Sequence, residues 1–230
     1  MRRLAAALIG LAIAVFVVGV ALALLIQPPV TLVVAERFAL AREAGLPRQR
    51  MLEIAEQVRA FVAGTSAQTL PGVVDGRPGF DEAAIAHLAD VRSVIAGARI
   101  VTWGLALLLA VWLAAEVAGR RFDRIAAGMR AGAWWCLGLV LVAGLAGVFN
   151  FDALFSAFHG LFFAAGTWTF PSDSLLIQTF PEPFWATAAG LWAGIVLLGG
   201  AALGVGARLA ARGDARPASI RESGSVGHGA

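Results

Sequence analysis

Apolar residues are gathered in four long runs, and polar and apolar residues mix in the segments between them. A helix needs about 20 apolar residues to cross a hydrocarbon core of ~30 Å, and each run has about that length. The first run exceeds the ~7–15 apolar residues of a signal peptide, so we interpret it as a retained anchor. The pattern predicts an all-α membrane protein with four transmembrane helices. The predicted spans are approximately Leu4–Ile26, Ile100–Val117, Ala131–Val148 and Ala186–Val205.

The segment between the first two runs, about residues 27–98, is too long for a simple linker. The stretch "PPVTLVVAERFALAREAG" begins with proline and ends with glycine, which predicts one amphipathic helix from Pro28 to Gly45. The stretch "PRQRMLEIAEQVRAFVAG" also begins with proline and ends with glycine, and its apolar residues lie on one side of a helix. Asp81 is a plausible N-cap for a helix that continues into the second span. Since no β-alternation stands out, we predict a small helical cap.

A second notable segment, residues 150–185, lies between the third and fourth runs. It holds eight Phe and two Trp but no Lys or Arg between residues 151 and 185. Four of these aromatic residues recur at i, i+4, i+7 and i+11, which predicts an aromatic stripe on a short helix at the membrane interface. They are Phe151, Phe155, Phe158 and Phe162. After the last span, residues 207–230 are rich in Gly, Ser and Arg, which predicts a disordered tail.

Composition and arginine placement agree with this division. The chain is 59% hydrophobic and only 14% charged, which is typical of a membrane protein. All 18 basic residues are Arg, with four in residues 119–130, four in the tail and none in residues 151–185. The positive-inside bias therefore predicts that both termini are cytoplasmic and that the cap and residues 150–185 are extracytoplasmic. Because the arginines flank apolar runs instead of forming one patch, we expect no nucleic-acid partner.

The predicted organisation follows from these observations. It consists of residues 1–26 as the first transmembrane helix, 27–98 as the extracytoplasmic helical cap, 99–206 as transmembrane helices two to four with an outer interfacial segment at 150–185, and 207–230 as a cytoplasmic tail.

Two of the three histidines, His87 and His159, fall in the two predicted outer segments. Asp90 lies at i+3 from His87, so both share a helix face. A carboxylate beside an imidazole raises its pKa and fixes its tautomer, which is the orienting role in a general-base pair. His159 borders the aromatic stripe, and an ionisable group at the membrane interface is a functional candidate. If both act in one site, we expect their rings within about 10 Å of each other. A simple polar anchor remains the alternative for each.

Other chemistries have weaker signals. A zinc site from the two histidines and Asp90 has no ligand-spacing motif. Ser156 lies at i−3 from His159, but no G-x-S-x-G elbow surrounds it. Cys136 is the only cysteine, which excludes an intrachain disulfide, and a thiol in an apolar run is a poor nucleophile. We therefore predict neither a metal nor a cofactor. The residues alone indicate an outward-facing membrane protein with a candidate two-histidine site at the depth of lipid esters.

Two motifs give the chain a resemblance to a known family. Residues Phe155–Trp185 follow "FxxFHxLFF…W.F…D..LI..FP..FW", and His87–Arg92 read H-x-x-D-V-R. With the spans in corresponding places, the chain resembles the bacterial lipoprotein intramolecular transacylase family. The motif around His159 is long and fairly specific, whereas the one around His87 is short. The family motif has an acid three residues before this first histidine, and Ala84 occupies that position here.

The resemblance implies a multi-pass enzyme of the bacterial cytoplasmic membrane that acts on diacylated lipoproteins among the membrane lipids. Such an enzyme moves the sn-2 acyl chain of the diacylglyceryl group to the α-amino group of the N-terminal Cys, which leaves a lyso-form lipoprotein. We predict His87, His159 and Asp90 as catalytic residues. The predicted substrate-binding residues are Phe155, Phe158, Phe162, Trp168 and Arg92. The alternatives are a membrane acyl hydrolase that uses the same site and a non-catalytic lipid- or lipoprotein-binding scaffold. A pore is disfavoured because no span carries a polar stripe.

Overall fold

The computed structural model describes residues 1–215, with side chains up to residue 212. In this part of the chain there are eight helices and one small hairpin: α1 (Arg2–Leu25), α2 (Pro28–Phe38), α3 (Arg48–Val62), β1 (Val73–Val74), β2 (Arg77–Pro78), α4 (Glu82–Ala118), α5 (Phe122–Phe149), α6 (Phe151–Phe162), α7 (Leu175–Thr179) and α8 (Glu182–Ala215). By length and apolar composition, α1, α4, α5 and α8 are long enough to cross a membrane. The prediction of a four-span helical membrane protein is confirmed.

Helix α4 carries the first histidine motif ahead of its apolar run. The backbone N–H of Ala84 donates a 2.7 Å hydrogen bond to Oδ1 of Asp81, which confirms the predicted N-cap. The helix has 37 residues, or about 55 Å at the usual rise, so it is longer than a hydrocarbon core of ~30 Å. His87 lies in its second turn, well before the apolar run that begins at Ile100. The histidine is therefore outside the part of α4 that is predicted to span the membrane.

The described residues form two compact units, of which the first contains Met1–Val18, Thr102–Val140 and the part of α8 that begins at Ile195. In this unit α1 and α5 touch through small residues. A Cβ atom added to Gly10 would lie 2.5 Å from Cβ of Ala131 and 2.7 Å from the backbone N of Gly132. Small residues allow such close backbone approach, which is how transmembrane helices gain van der Waals contact.

The second unit contains Gly19–Val101 and Leu141–Gly194, and it includes both histidines. Its hydrophobic core, which we call the interhelical core, is built from α2, α3, the hairpin, the first turns of α4, and the segment around α7. Met51 and Ile54 of α3 are fully buried in it, as the helical pattern predicted. Leu175, Leu176 and Phe180 come from the later segment and complete it. The segment between α1 and α4 and the segment between α5 and α8 therefore share one core.

Three predictions about local structure are corrected. The helix predicted over residues 28–45 ends at Phe38, because Leu40 leaves the helix and its N–H donates a 2.8 Å hydrogen bond to the carbonyl of Gln178. The cap is not purely helical, because Val73–Val74 pair with Arg77–Pro78 in an antiparallel hairpin. Its two turn residues, Asp75 and Gly76, have φ values of 50° and 78°, as a two-residue type I′ turn requires.

The third correction concerns the tail. The prediction of disorder from residue 207 is wrong for residues 207–215, since α8 continues to Ala215. Ala, Leu and Arg dominate this stretch and are good helix formers, so the helix does not end with the apolar run. The rest of the predicted tail, residues 216–230, lies outside the described residues, and it includes the third histidine.

Candidate active site

His159 lies on α6, and a hydrogen bond fixes the tautomer of its neutral ring. The helix begins after Asn150, whose Oδ1 accepts a 2.9 Å hydrogen bond from the backbone N–H of Ala153. One turn before His159, the carbonyl oxygen of Phe155 lies 2.8 Å from His159 Nδ1. Because a carbonyl oxygen can only accept, Nδ1 must carry the hydrogen and donate it. The neutral imidazole therefore has its free lone pair on Nε2, which is the atom that can act as a base.

His87 brings a second imidazole to the same place. Its ring centroid is 6.2 Å from that of His159, with an angle of 27° between the ring planes. Phe163 packs edge-on against His87 at 4.9 Å, and Phe170 lies at 5.5 Å. The two histidines are 8% and 9% exposed. The prediction that the rings converge within about 10 Å is confirmed, and residues from two different segments form the pair.

The electrostatics of His87 correct one expectation. Burial lowers the pKa of His87, the neighbouring His159 lowers it further, and the charge of Asp90 acts in the opposite direction. The expectation that Asp90 raises this pKa overall is therefore wrong, because Asp90 is exposed and burial dominates. Nor does Asp90 fix the tautomer, since His87 Nδ1 is buried without a hydrogen-bond partner among the described residues.

His159 is shifted in the same direction. Burial lowers the pKa of His159, and its hydrogen bond to the Phe155 carbonyl offsets part of that decrease. An unperturbed histidine titrates near 6.5, so a lowered pKa keeps both rings neutral at neutral pH. A neutral imidazole with an available lone pair is the form that a general base needs.

Aromatic side chains surround the imidazole of His159. Phe155 is closest, with ring centroids 4.0 Å apart, and Trp168 follows at 4.8 Å. The predicted stripe divides here, because Phe158 and Phe162 remain 52% and 49% exposed while Phe155 is half-buried beside the ring. The sequence did not single out Phe163 or Phe170 as neighbours of the pair. The density of aromatic residues after His159 was the only signal for them.

Trp168 reaches the histidine through a reversal of the chain after α6. Gly166 has a φ of 83°, a left-handed conformation that favours glycine, and it lies between the end of α6 and Trp168. The indole Nε1 of Trp168 is buried and has no hydrogen-bond partner among the described residues. By contrast, Nε1 of Trp185 donates a 2.9 Å hydrogen bond to the carbonyl of Phe180.

Arg92 lies on another face of α4 from His87. Five residues along a helix correspond to a rotation of about 140° after one full turn, at 3.6 residues per turn. Its guanidinium lies 5.4 Å from the ring centroid of Phe61, and Nη1 is 3.5 Å from the carbonyl oxygen of Ser66. Arg99 similarly donates to the carbonyl of Ala63, and both arginines line a cleft of about 210 Å³ at the end of α3. The described contacts do not bring Arg92 to the histidine pair.

The remaining candidates do not join the site. Within residues 1–215, no group of three or more His, Cys, Asp or Glu side chains is placed to hold a metal ion. Ser156 is exposed on α6, and Cys136 is buried in α5.

A family comparison connects this geometry to known proteins. The sequence profile described as lipoprotein intramolecular transacylase Lit matches residues 6–185 of the 230-residue chain, a range that contains both histidine motifs. The chain belongs to this family. It is therefore an intramolecular transacylase, an acyltransferase embedded in the membrane.

Solved structures support the same fold. The membrane-integral lipoprotein intramolecular transacylase Lit from Bacillus cereus superimposes with a TM-score of 0.76 at 16% sequence identity, and the match covers 93% of this chain and 97% of that one. A form of that protein with one histidine replaced by arginine gives a TM-score of 0.72 at 15% identity and covers 93% of both chains. A form with a histidine replaced by alanine gives 0.66 at 16% identity, with coverage of 93% and 95%. A search of curated protein sequences finds no match.

Proposed function

We propose that the chain moves the sn-2 acyl chain of a diacylglyceryl-modified lipoprotein onto the α-amino group of the lipoprotein's N-terminal cysteine, and that the reaction takes place at His87 and His159. The observation that carries this proposal is the pair of buried, stacked imidazoles in which Nε2 of His159 is free to accept a proton. Family membership supplies the reaction class, and the pair supplies a base for it.

The first step is deprotonation of the amine. An α-amino group has an unperturbed pKa of about 7.7–8.0, so most of it carries a proton at neutral pH and cannot attack. The ammonium form first loses one proton to solvent. As the nitrogen of the free amine then bonds to the carbonyl carbon of the sn-2 ester, Nε2 of His159 accepts a second proton from that nitrogen. Burial serves this step because it lowers the pKa of His159 and keeps the base in its neutral form.

The second step returns the proton. The new C–N bond gives a tetrahedral intermediate, the bond between the acyl carbon and the glyceryl oxygen breaks, and the imidazolium of His159 protonates that oxygen. The acyl group has then moved from the glyceryl oxygen to the amine nitrogen, and one proton has moved from that nitrogen to the glyceryl oxygen. No water and no second acyl donor enters the balance. The exchange of an ester for an amide runs downhill.

His87 and Asp90 act on the protonated intermediate. A charge on His159 lowers the pKa of His87, so the two rings do not carry positive charge together. His87 takes over the proton of His159 through a bridging water or substrate group, since the rings stack without a hydrogen bond between them, and the charge of Asp90 favours the protonated form of His87. Asp90 is therefore a positioning residue that biases where the proton resides.

The aromatic residues and Arg92 hold the substrate. Phe158 and Phe162 present exposed aromatic surface beside the pair, and they contact the acyl chains. Phe155 and Trp168 pack around the base itself and exclude water from it. Arg92 keeps unused guanidinium donors beside its cleft, where it contacts a headgroup or peptide oxygen away from the reacting ester.

The test is the mass of a diacyl lipopeptide after incubation with the purified protein. An intramolecular transfer is an isomerisation, so we expect an unchanged total mass. Fragmentation should show an N-acylated cysteine and a glyceryl group with a single chain. Loss of one acyl mass with a free amine would indicate a hydrolase, and gain of one acyl mass would indicate a second acyl donor. An unchanged lipopeptide would indicate a scaffold. Each of these three outcomes contradicts the proposal.

A His159→Asn variant is the matched control. The Asn side chain can still donate an N–H to the Phe155 carbonyl, but it has no basic nitrogen at the position of Nε2. Its rate of isomerisation should fall roughly 10²–10⁴-fold, the usual contribution of a positioned general base. Wild-type rates in both His159→Asn and His87→Asn would place the reaction elsewhere.

A further inference from the structure

The indole N–H of Trp168 has no hydrogen-bond acceptor. Its Nε1 atom is buried, and no partner lies within hydrogen-bond distance among the described residues. An indole nitrogen can only donate, so the missing partner must be an acceptor. A buried donor without a partner costs folding free energy, so such a group in a native protein needs an explanation, and a catalytic role is one. The indole of Trp185, in the same aromatic cluster, already has its acceptor in the Phe180 carbonyl.

This unpaired donor lies beside the base. The ring centroids of Trp168 and His159 are 4.8 Å apart with an angle of 33° between their planes, and Phe155 is 6.4 Å from the indole. Gly166, with a φ of 83°, lies in the turn between the end of α6 and Trp168. Because the two rings are in contact, an acceptor bound by the indole N–H would lie beside the imidazole of His159.

The other unpaired buried nitrogen of the site is less suited to this role. Nδ1 of His87 also lacks a partner among the described residues, but a histidine nitrogen is a donor in one tautomer and an acceptor in the other. His87 also changes charge as the pair titrates, whereas the indole keeps its hydrogen throughout. A fixed donor is what a developing negative charge on oxygen requires.

We infer that Nε1–H of Trp168 donates a hydrogen bond to the carbonyl oxygen of the sn-2 ester and stabilises the oxyanion of the tetrahedral intermediate. The inference rests on the proposed transacylation. When the amine nitrogen attacks, the carbonyl π-electrons move to oxygen, and the hydrogen bond to Trp168 strengthens with that charge. When the bond to the glyceryl oxygen breaks, the charge leaves and a neutral amide carbonyl remains. The indole forms no covalent bond and loses no proton.

The test compares Trp168→Phe with Trp185→Phe, which both replace an indole by a smaller aromatic ring. Removing one oxyanion donor usually costs roughly 10²–10³-fold in kcat, so Trp168→Phe should lose about that much, with KM altered only a few-fold. Trp185→Phe removes an N–H that is already occupied by a backbone carbonyl, and its kcat should stay within a few-fold of the wild type. A kcat for Trp168→Phe within three-fold of the wild type, alongside active wild-type protein, would overturn the inference.

Two further measurements separate hydrogen bonding from packing. Benzothienylalanine at position 168 keeps the shape of the indole but has sulfur in place of N–H, so a correctly folded variant should lose activity to the same extent. A lipopeptide with an acetylated amine cannot react, and its sn-2 carbonyl can be labelled with ¹³C for infrared spectroscopy. Its carbonyl stretch should move to lower frequency on the wild type and on Trp185→Phe but not on Trp168→Phe. Full activity of the benzothienyl variant, or the same frequency on all three proteins, would refute the role of Trp168.

These outcomes also distinguish the inference from the proposed function. If the proposed function fails, the wild-type protein itself gives no isomerised lipopeptide. If only the role of Trp168 fails, the wild type and Trp168→Phe both produce it at similar rates.

Discussion

The properties of single side chains here depend on burial more than on charged neighbours. Both imidazoles are almost fully buried and contact aromatic rings, and burial is the largest cause of the lowered pKa of each. The one carboxylate close in sequence, Asp90, is exposed and only partly offsets this effect for His87. A base that is neutral because it is buried does not need a carboxylate to activate it. What it needs is a fixed tautomer, and the Phe155 carbonyl gives that to His159.

The pH dependence of the reaction should reflect this. Since burial lowers the pKa of both histidines, the neutral base is retained above 6.5 and is lost only as the pH falls through the lower value of the folded protein. Between roughly pH 6.5 and 7.7 only the substrate amine titrates, so kcat/KM should rise about tenfold per pH unit. Below that range the dependence should become steeper as the histidines gain protons. We expect this break to lie below pH 6.5 in steady-state assays with a diacyl lipopeptide.

The pH at which this break occurs shows whether burial or a carboxylate controls the pKa of the base. A break above pH 6.5 would mean that the pKa of the base is raised, as a dominant carboxylate would raise it. An Asp90→Asn variant provides the comparison, because loss of the negative charge removes the one cause that raises the pKa of His87. Its break should lie at or below that of the wild type.

At the scale of helices and turns, periodicity predicted what local sequence controls. The phenylalanine spacing predicted α6, and Asp81 predicted the start of α4, because both depend on residues within one or two turns. The predicted end of α2 was wrong because the backbone N–H of Leu40 donates its hydrogen bond to the carbonyl of Gln178, which is far away in the sequence. The packing of Trp168 against His159 was equally out of reach, since it depends on the reversal at Gly166 and on tertiary contacts.

The packing of α1 against α5 gives a prediction at this scale. A methyl group at Gly10 would meet the backbone of Ala131 and Gly132 at 2.7 Å, closer than nonbonded atoms approach, so the two helices would have to separate. Overpacking of this kind usually costs about 1–3 kcal/mol. Gly10→Ala should therefore lower the melting temperature of the purified protein in detergent. The readout is a thermal scan of intrinsic tryptophan fluorescence.

Gly138 of α5 provides the matched control, because a methyl group there meets no atom within 4 Å. Alanine is a better helix former than glycine by about 0.8–1.0 kcal/mol, so Gly138→Ala should leave the melting temperature unchanged or raise it. Equal melting temperatures for the two variants would show that the close approach of α1 and α5 does not limit stability.

For the whole molecule, the order of spans and segments was predictable because length and hydropathy determine it. The four spanning helices and the two segments between them follow directly from the apolar runs. Length and hydropathy did not predict how His87 and His159 come together, because their contact depends on a core that both segments share. The chain keeps this fold at 16% identity to the Bacillus cereus transacylase. Few individual residues are thus required for the architecture. The role of the histidine pair therefore follows from the chemistry of its side chains and not from the fold.

Orientation in the membrane is the last prediction. The link from α4 to α5 and the chain after α8 carry arginines, while residues 151–185 carry none, so we expect both termini inside and the histidine pair outside. On a Cys136→Ser background, Ser172→Cys places a single thiol at an exposed position between Trp168 and α7. This thiol should react with a membrane-impermeant maleimide in intact spheroplasts, because an amine on an exported lipoprotein can meet the pair only on that side.

An Asp123→Cys variant at an exposed position near the start of α5 is the control, and it should react only after lysis. The two positions lie on opposite sides of the membrane if α5 crosses it once, so their labelling should be reciprocal. Labelling of Ser172→Cys only after lysis would show that the protein has the opposite orientation in the membrane. The reacting amine would then have to be cytoplasmic, and a lipoprotein would have to be acylated before its N-terminus left the cell interior.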